Sequence, residues 1–136
     1  MEKSILVVAS MLLSLSISAQ TDNPREFTHE ENGVTYTMKQ YVFCMYLSGT
    51  DRSQGEEEGA AIQENHLAHL GKLEEEHHLI MAGPFGDDTE KRGILLFDLE
   101  TVEEASELVG DDPAVKANRL DFECHPLWLA KGTELP

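Results

Sequence analysis

The sequence predicts an α+β fold, an antiparallel sheet with two helices on one of its faces. Three observations predict it. Short apolar, β-rich runs recur at YVFCMYL (41–47), LIMA (79–82), GILLFDL (93–99) and Leu120 to Leu127. Two stretches between them carry helical spacing and helix-start signals. Their order is strand, helix, strand, strand, helix, strand, which is the ferredoxin-like βαββαβ pattern.

The chain begins with Lys3, an apolar stretch from Ile5 to Leu15, and small residues leading to Ala19. This is the layout of a cleaved export signal over 1–19, and the apolar run is too short to span a membrane comfortably. The expected home is periplasmic or secreted, with no membrane attachment after cleavage. Residues 20–40 form a polar N-terminal extension with a turn signal at Asn32-Gly33. Val34, Tyr36 and Met38 alternate with Thr35 and Thr37, as in a short strand or an ordered tail. The folded domain is expected over 41–130, followed by a C-terminal tail over 131–136.

Tyr41 to Leu47 is the first strand. Ser53 and Glu56 have capping-box spacing, and acidic residues crowd the next turn, where a helix dipole favours them. The first helix is expected from about Glu56 to His77. Leu79 to Ala82 makes the second strand, stopped by Gly83-Pro84, and Gly93 to Leu99 the third. Thr101 and Glu104 form a second capping box, opening a helix to about Val109 that Gly110 ends in a left-handed conformation. Asp112-Pro113 caps and opens a short helical turn that stops near Asn118, before the last strand.

The 136 residues include 26 acidic and 10 basic ones, a formal net charge of −16. Such a surface repels phosphate backbones and anionic headgroups, which sets nucleic acid aside as a partner. The strands are apolar on both faces, although two helices cover only one. A second copy of the chain is the simplest cover for the other, so a homodimer with its sheets face to face is expected. The two cysteines, Cys44 and Cys124, lie in apolar strands and read as buried free thiols. A disulfide would require those strands to be neighbours.

Four of the six histidines fall in HLAHLGKLEEEHHLIMAGPF, residues 66–85. At about 100° per residue, Ile62, Leu67, Leu70 and Leu73 form one helical stripe with His66 inside it and His69 at its margin. His66 is therefore the histidine turned inward, either as a core residue bonded to a backbone carbonyl or as an acid–base group. His77 and His78 adjoin the helix C-terminus and are expected to be exposed. Two histidines at i and i+3 could ligate zinc, but neither HExxH nor paired CxxC is present, so no metal site is assigned. GxSxG, GxxxxGK[ST] and GxGxxG are also missing. What survives is acid–base chemistry by an inward histidine with a carboxylate behind it. Asp112 is a candidate carboxylate that also reads as an ordinary helix cap.

Several segments together give the chain a family likeness: HLAHL (66–70), LIMAGPF (79–85), the Gly-hydrophobic strand at 93–97, TVEEA (101–105), DDPAV (111–115) and CHPLW (124–128). In their order and spacing they resemble the YCII-related (YciI-like) family over roughly Tyr41 to Trp128. The resemblance implies a dimeric α+β barrel and a His–Asp pair in a pocket. The histidine opening the H-L-x-x-L motif is His66, and the aspartate before proline is Asp112. The chain departs from the family at the turn after the first helix, where His77-His78 replace Gly, and at Asn118, where the family favours Gly. Its export signal is a third departure.

The functional expectation is an exported small-molecule enzyme, lyase- or isomerase-like. His66 would move a proton on a small organic molecule and Asp112 would orient it. The substrate would be held by Tyr46, Met81, Gly83 and Phe85. No feature of the sequence requires a cofactor. The alternative is a non-catalytic ligand-binding or dimerisation module of the cell envelope.

Overall fold

The computed structural model describes residues 24–136, so the expected export signal lies outside the described residues. The elements run β1 (Glu26–Glu31), β2 (Val34–Ser48), α1 (Glu56–Glu76), β3 (Leu79–Pro84), β4 (Lys91–Phe97), α2 (Val102–Gly110), α3 (Pro113–Lys116) and β5 (Leu120–Ala130). β2 is antiparallel to both β4 and β5, and β3 is antiparallel to β4. The order β5–β2–β4–β3 makes two interleaved split βαβ units, the ferredoxin-like arrangement. β1 pairs with the first part of β2 through Asn32 and Gly33, both at positive φ. That is the two-residue hairpin turn an Asn-Gly pair favours. The alternating residues 34–38 are thus strand, continuous with 41–47. Arg25 and Lys39 hold this hairpin to Asp98 at 2.6 and 2.7 Å.

Several local expectations are corrected. Gly55, not Ser53, is the N-cap of α1 and makes no side-chain cap bond. The Ser53 hydroxyl instead donates to Asp51 at 2.6 Å. Gly110 does not adopt a left-handed conformation, because the chain continues through right-handed Asp111 directly into α3. β3 runs on through Gly83-Pro84, which is tolerated because β3 is an edge strand paired only with β4. Leu67 is 56% exposed. It lies about 100° around the helix from His66, beyond the buried arc that holds Leu73. The left-handed positions after α1 and α3 are His78 (φ 57°) and Asn118 (φ 55°). Both fall at turns where the family likeness implies glycine.

Val42, Cys44 and Tyr46 alternate onto the helix side of β2 and pack with Leu95 and Phe97 of β4, Leu73 of α1, and Ala105 and Val109 of α2. Tyr41, Phe43 and Met45 alternate onto the other face and stay only half-buried. Two glycines permit close backbone approaches. A Cβ on Gly93 would stand 2.8 Å from the Gly83 carbonyl oxygen, and one on Gly49 would stand 2.0 Å from that of Asn118.

The expectation of free thiols is overturned. The antiparallel β2–β5 register sets Cys44 opposite Cys124 with Cα atoms 4.1 Å apart, and the two form a disulfide. The bond closes a loop with a sequence separation of 80 residues. Loop-closure entropy makes a crosslink of that span worth about 4 kcal/mol against the unfolded chain. Reduction, or the C44S/C124S double variant, should therefore lower the unfolding free energy by about 2–5 kcal/mol in urea titrations. An unchanged midpoint would contradict the disulfide.

Candidate active site

The site forms where three elements meet under the sheet. β2 contributes Tyr46, α1 contributes His66, and the start of α3 contributes Asp112. Asp112 is fully buried, the one charged residue among the buried described residues. A carboxylate taken out of water must have its oxygens satisfied. Oδ1 accepts from the Ala114 amide at 2.8 Å, the N-cap bond that the Asp-Pro sequence favours. Oδ2 accepts from the Tyr46 hydroxyl at 2.5 Å and meets Nδ1 of His66 at 2.7 Å. Burial alone would raise the carboxyl pKa. The hydrogen bonds from His66, Tyr46 and the Ala114 amide outweigh it and hold the group below the usual aspartate range.

An ionised Asp112 accepts hydrogen bonds and cannot donate them. Nδ1 of His66 must then carry the proton of the shared bond, which leaves Nε2 as the lone-pair nitrogen of the neutral ring. The ring also packs edge-on against Tyr46, with centroids 5.4 Å apart. Burial, the bond to Asp112 and the Asp112 charge push the Tyr46 phenol far above its ordinary pKa. Tyr46 is thus a fixed donor to Asp112 and stays protonated at any physiological pH.

His66 and Tyr46 line a cavity of about 430 Å³ between α1, β3, β4 and the turn before β5. That volume lies within the range of small-molecule sites. Gly83 also lines it. Met81 lies outside it, in a neighbouring hollow between α1 and β3 with Leu67 and Ile80. Phe85 follows β3, 39% exposed, and lines neither hollow. β3 brings Gly83 to the cavity but carries Met81 past its edge.

The other histidines fall elsewhere. His69 donates from Nε2 to the Leu108 carbonyl at 2.9 Å, tying α1 to α2. His78 is exposed and His77 half-buried beside Glu76. Sequence reasoning missed three further lining residues, Arg52, Arg92 and Arg119. They belong to no local motif and lie far apart in the chain. The available signal was rarity, since the chain has only four arginines.

The model of the YCII-related domain family matches residues 41–121, more than half of the chain. The chain belongs to the YCII-related family. No curated protein matches this YCII-related chain. Among solved structures, it is similar to 5-chloro-2-hydroxyhydroquinone dehydrochlorinase (TftG) from Burkholderia phenoliruptrix AC1100, in complex with 2,5-dihydroxybenzoquinone. The two are 22% identical, over 62% of this chain and 90% of that one, with a TM-score of 0.43.

The Asp112 network gives a stability prediction. Its carboxyl pKa is lower folded than unfolded, so its stabilisation is complete above about pH 4 and is lost as pH falls through the lower folded value. Asp112→Asn should cost about 1–3 kcal/mol at neutral pH. The gap to wild type should narrow as acid is added below about pH 4 in parallel urea titrations. A gap independent of pH would contradict an ionised, hydrogen-bonded Asp112.

Proposed function

We propose that this YCII-related protein is a small-molecule enzyme, lyase- or isomerase-like, in which Nε2 of His66 takes a proton from a carbon acid held in the 430 Å³ cavity. The observation that carries this reading is the 2.7 Å bond between His66 Nδ1 and a buried Asp112, with the same ring lining the cavity. Asp112 would select the tautomer that leaves Nε2 basic and would stabilise the imidazolium formed when Nε2 accepts the proton. The electron pair left on carbon would then be reprotonated at another atom, an isomerisation. Alternatively it would form a double bond as a neighbouring leaving group departs with its own pair, an elimination. Tyr46 is a positioning residue in this scheme, because its hydroxyl is committed to Asp112. Proton transfer of this kind requires no prosthetic group.

We also propose that the working form is a homodimer in an oxidising, periplasmic or extracellular setting. The half-buried Tyr41, Phe43 and Met45 support a second copy packed on that sheet face. The Cys44–Cys124 bond supports the compartment. Sedimentation at micromolar concentration should give twice the chain mass, and a monodisperse monomer would overturn the dimer.

The catalytic reading is tested by proton exchange. Small enolisable compounds incubated with the protein in D₂O should lose C–H signals in proton NMR spectra. His66→Gln should slow that loss about 10²–10⁴-fold, the usual contribution of a positioned base. A variant exchanging at the wild-type rate would refute a base at His66.

A further inference from the structure

The cavity has an electrostatic character opposite to that of the protein. The chain carries 26 acidic residues, yet among the described residues no Asp or Glu lines the cavity, and three of the four arginines do. Arg52 comes from the loop after β2, Arg92 from β4, and Arg119 from the turn before β5. Of the three, only Arg92 has a carboxylate partner among the described residues, Asp88 at 3.0 Å, and Asp88 is almost wholly exposed. Arg52 and Arg119 direct their hydrogen bonds to neutral oxygens. Arg52 donates to the Arg119 carbonyl at 2.8 Å, and Arg119 donates to the Gln54 side-chain oxygen at 3.0 Å. Partial desolvation and the positive charges of Arg119 and Arg92 pull the Arg52 guanidinium below its usual pKa, against a smaller opposing pull from the Asp88 carboxylate. Among the described residues these three positive charges thus share one nearby carboxylate, the solvent-exposed Asp88. The remaining walls include the apolar side chains of Leu70 and Leu120.

We propose that the natural occupant of this cavity is a small organic anion with an apolar body, its carboxylate or equivalent oxyanion held by Arg52, Arg92 and Arg119. This names the substrate class for the site assigned above, and as a statement about catalysis it rests on that reading. A guanidinium offers paired N–H donors in a plane, which matches the two oxygens of a carboxylate. The same arginines share the cavity with His66, so they would stabilise negative charge spreading onto the anionic group if His66 took a proton from the adjacent carbon. Arg52, the exposed member, is placed to meet an entering anion first.

The test is equilibrium binding, which does not depend on turnover. Benzoate and succinate are titrated into the full chain against their neutral counterparts benzamide and succinamide, with NMR shifts as the readout. At least one carboxylate should bind about tenfold or more tighter than its amide, a difference of about 1.4 kcal/mol. Added salt should weaken the carboxylate and leave the amide unchanged. Arg52→Gln and Arg119→Gln should each remove most of that preference. Arg52 is exposed, so its variant keeps the test valid if Arg119→Gln fails to fold. His66→Gln should still bind the carboxylate. Equal binding of acid and amide, or no carboxylate binding at millimolar concentration, would overturn the anion site. An anion preference that survives together with wild-type exchange in His66→Gln would refute the proton-transfer reading and leave the anion site standing.

Discussion

A carboxylate buried without full hydrogen bonding destabilises a small domain severely, and in this chain that constraint falls on Asp112. The effective penalty for taking such a charge out of water is several kcal/mol. Three hydrogen bonds to a charged acceptor, at about 1.5–3 kcal/mol each, are enough to offset it. The donors come from β2, α1 and the first turn of α3, positions 46, 66 and 114 of the chain. Satisfying one side chain therefore fixes the rotation of α1, the face that β2 turns to the helices and the entry angle of α3. The geometry that satisfies Asp112 also leaves a single imidazole nitrogen available to a ligand.

The rest of the fold holds those three elements in register. Tyr46 reaches Asp112 because it shares the helix face of β2 with Val42 and Cys44, and a one-residue slip of β2 would turn it to the other side. The Cys44–Cys124 bond sits two residues from Tyr46 on that face and pins β2 against β5. Gly49 lets the chain after β2 press onto the α3–β5 turn, which carries Arg119. Gly93 lets β4 approach β3 beside Gly83, at the cavity wall. His69 adds a bond from α1 to the last turn of α2. Each of these features limits a motion that would separate His66 from Asp112.

Much of this was legible in the sequence because its signals are local. The βαββαβ order follows from apolar periodicity, and the Thr101 and Asp112 caps follow from residue type and spacing. His66 faces inward because it lies about 20° from Leu73 around α1, and Leu73 is almost wholly buried. What escaped depends on distant pairings. The disulfide requires β2 and β5 to be neighbours in one particular register, which neither strand shows alone. The arginines converge from three loops and strands with no shared motif. Ser53 has no capping role because the helix opens two residues later, at Gly55, and its hydroxyl donates to Asp51, a boundary shift that spacing rules do not resolve. Met81 and Phe85 share strand spacing with Gly83, but the cavity touches β3 only at 82–84: Met81 lies further back along the strand, in the neighbouring hollow, and Phe85 lies beyond its end.

The central claim is that ionised Asp112 holds His66 with its proton on Nδ1, leaving Nε2 as a bare lone pair in the cavity. Nitrogen-15 NMR of the His66 ring, recorded on the neutral imidazole in wild type and in Asp112→Asn, tests it most directly. The account predicts one tautomer in the wild-type protein, Nδ1 protonated and Nε2 unprotonated, and loss of that single tautomer in the variant. A proton on Nε2, or the same tautomer mixture in both proteins, would contradict it.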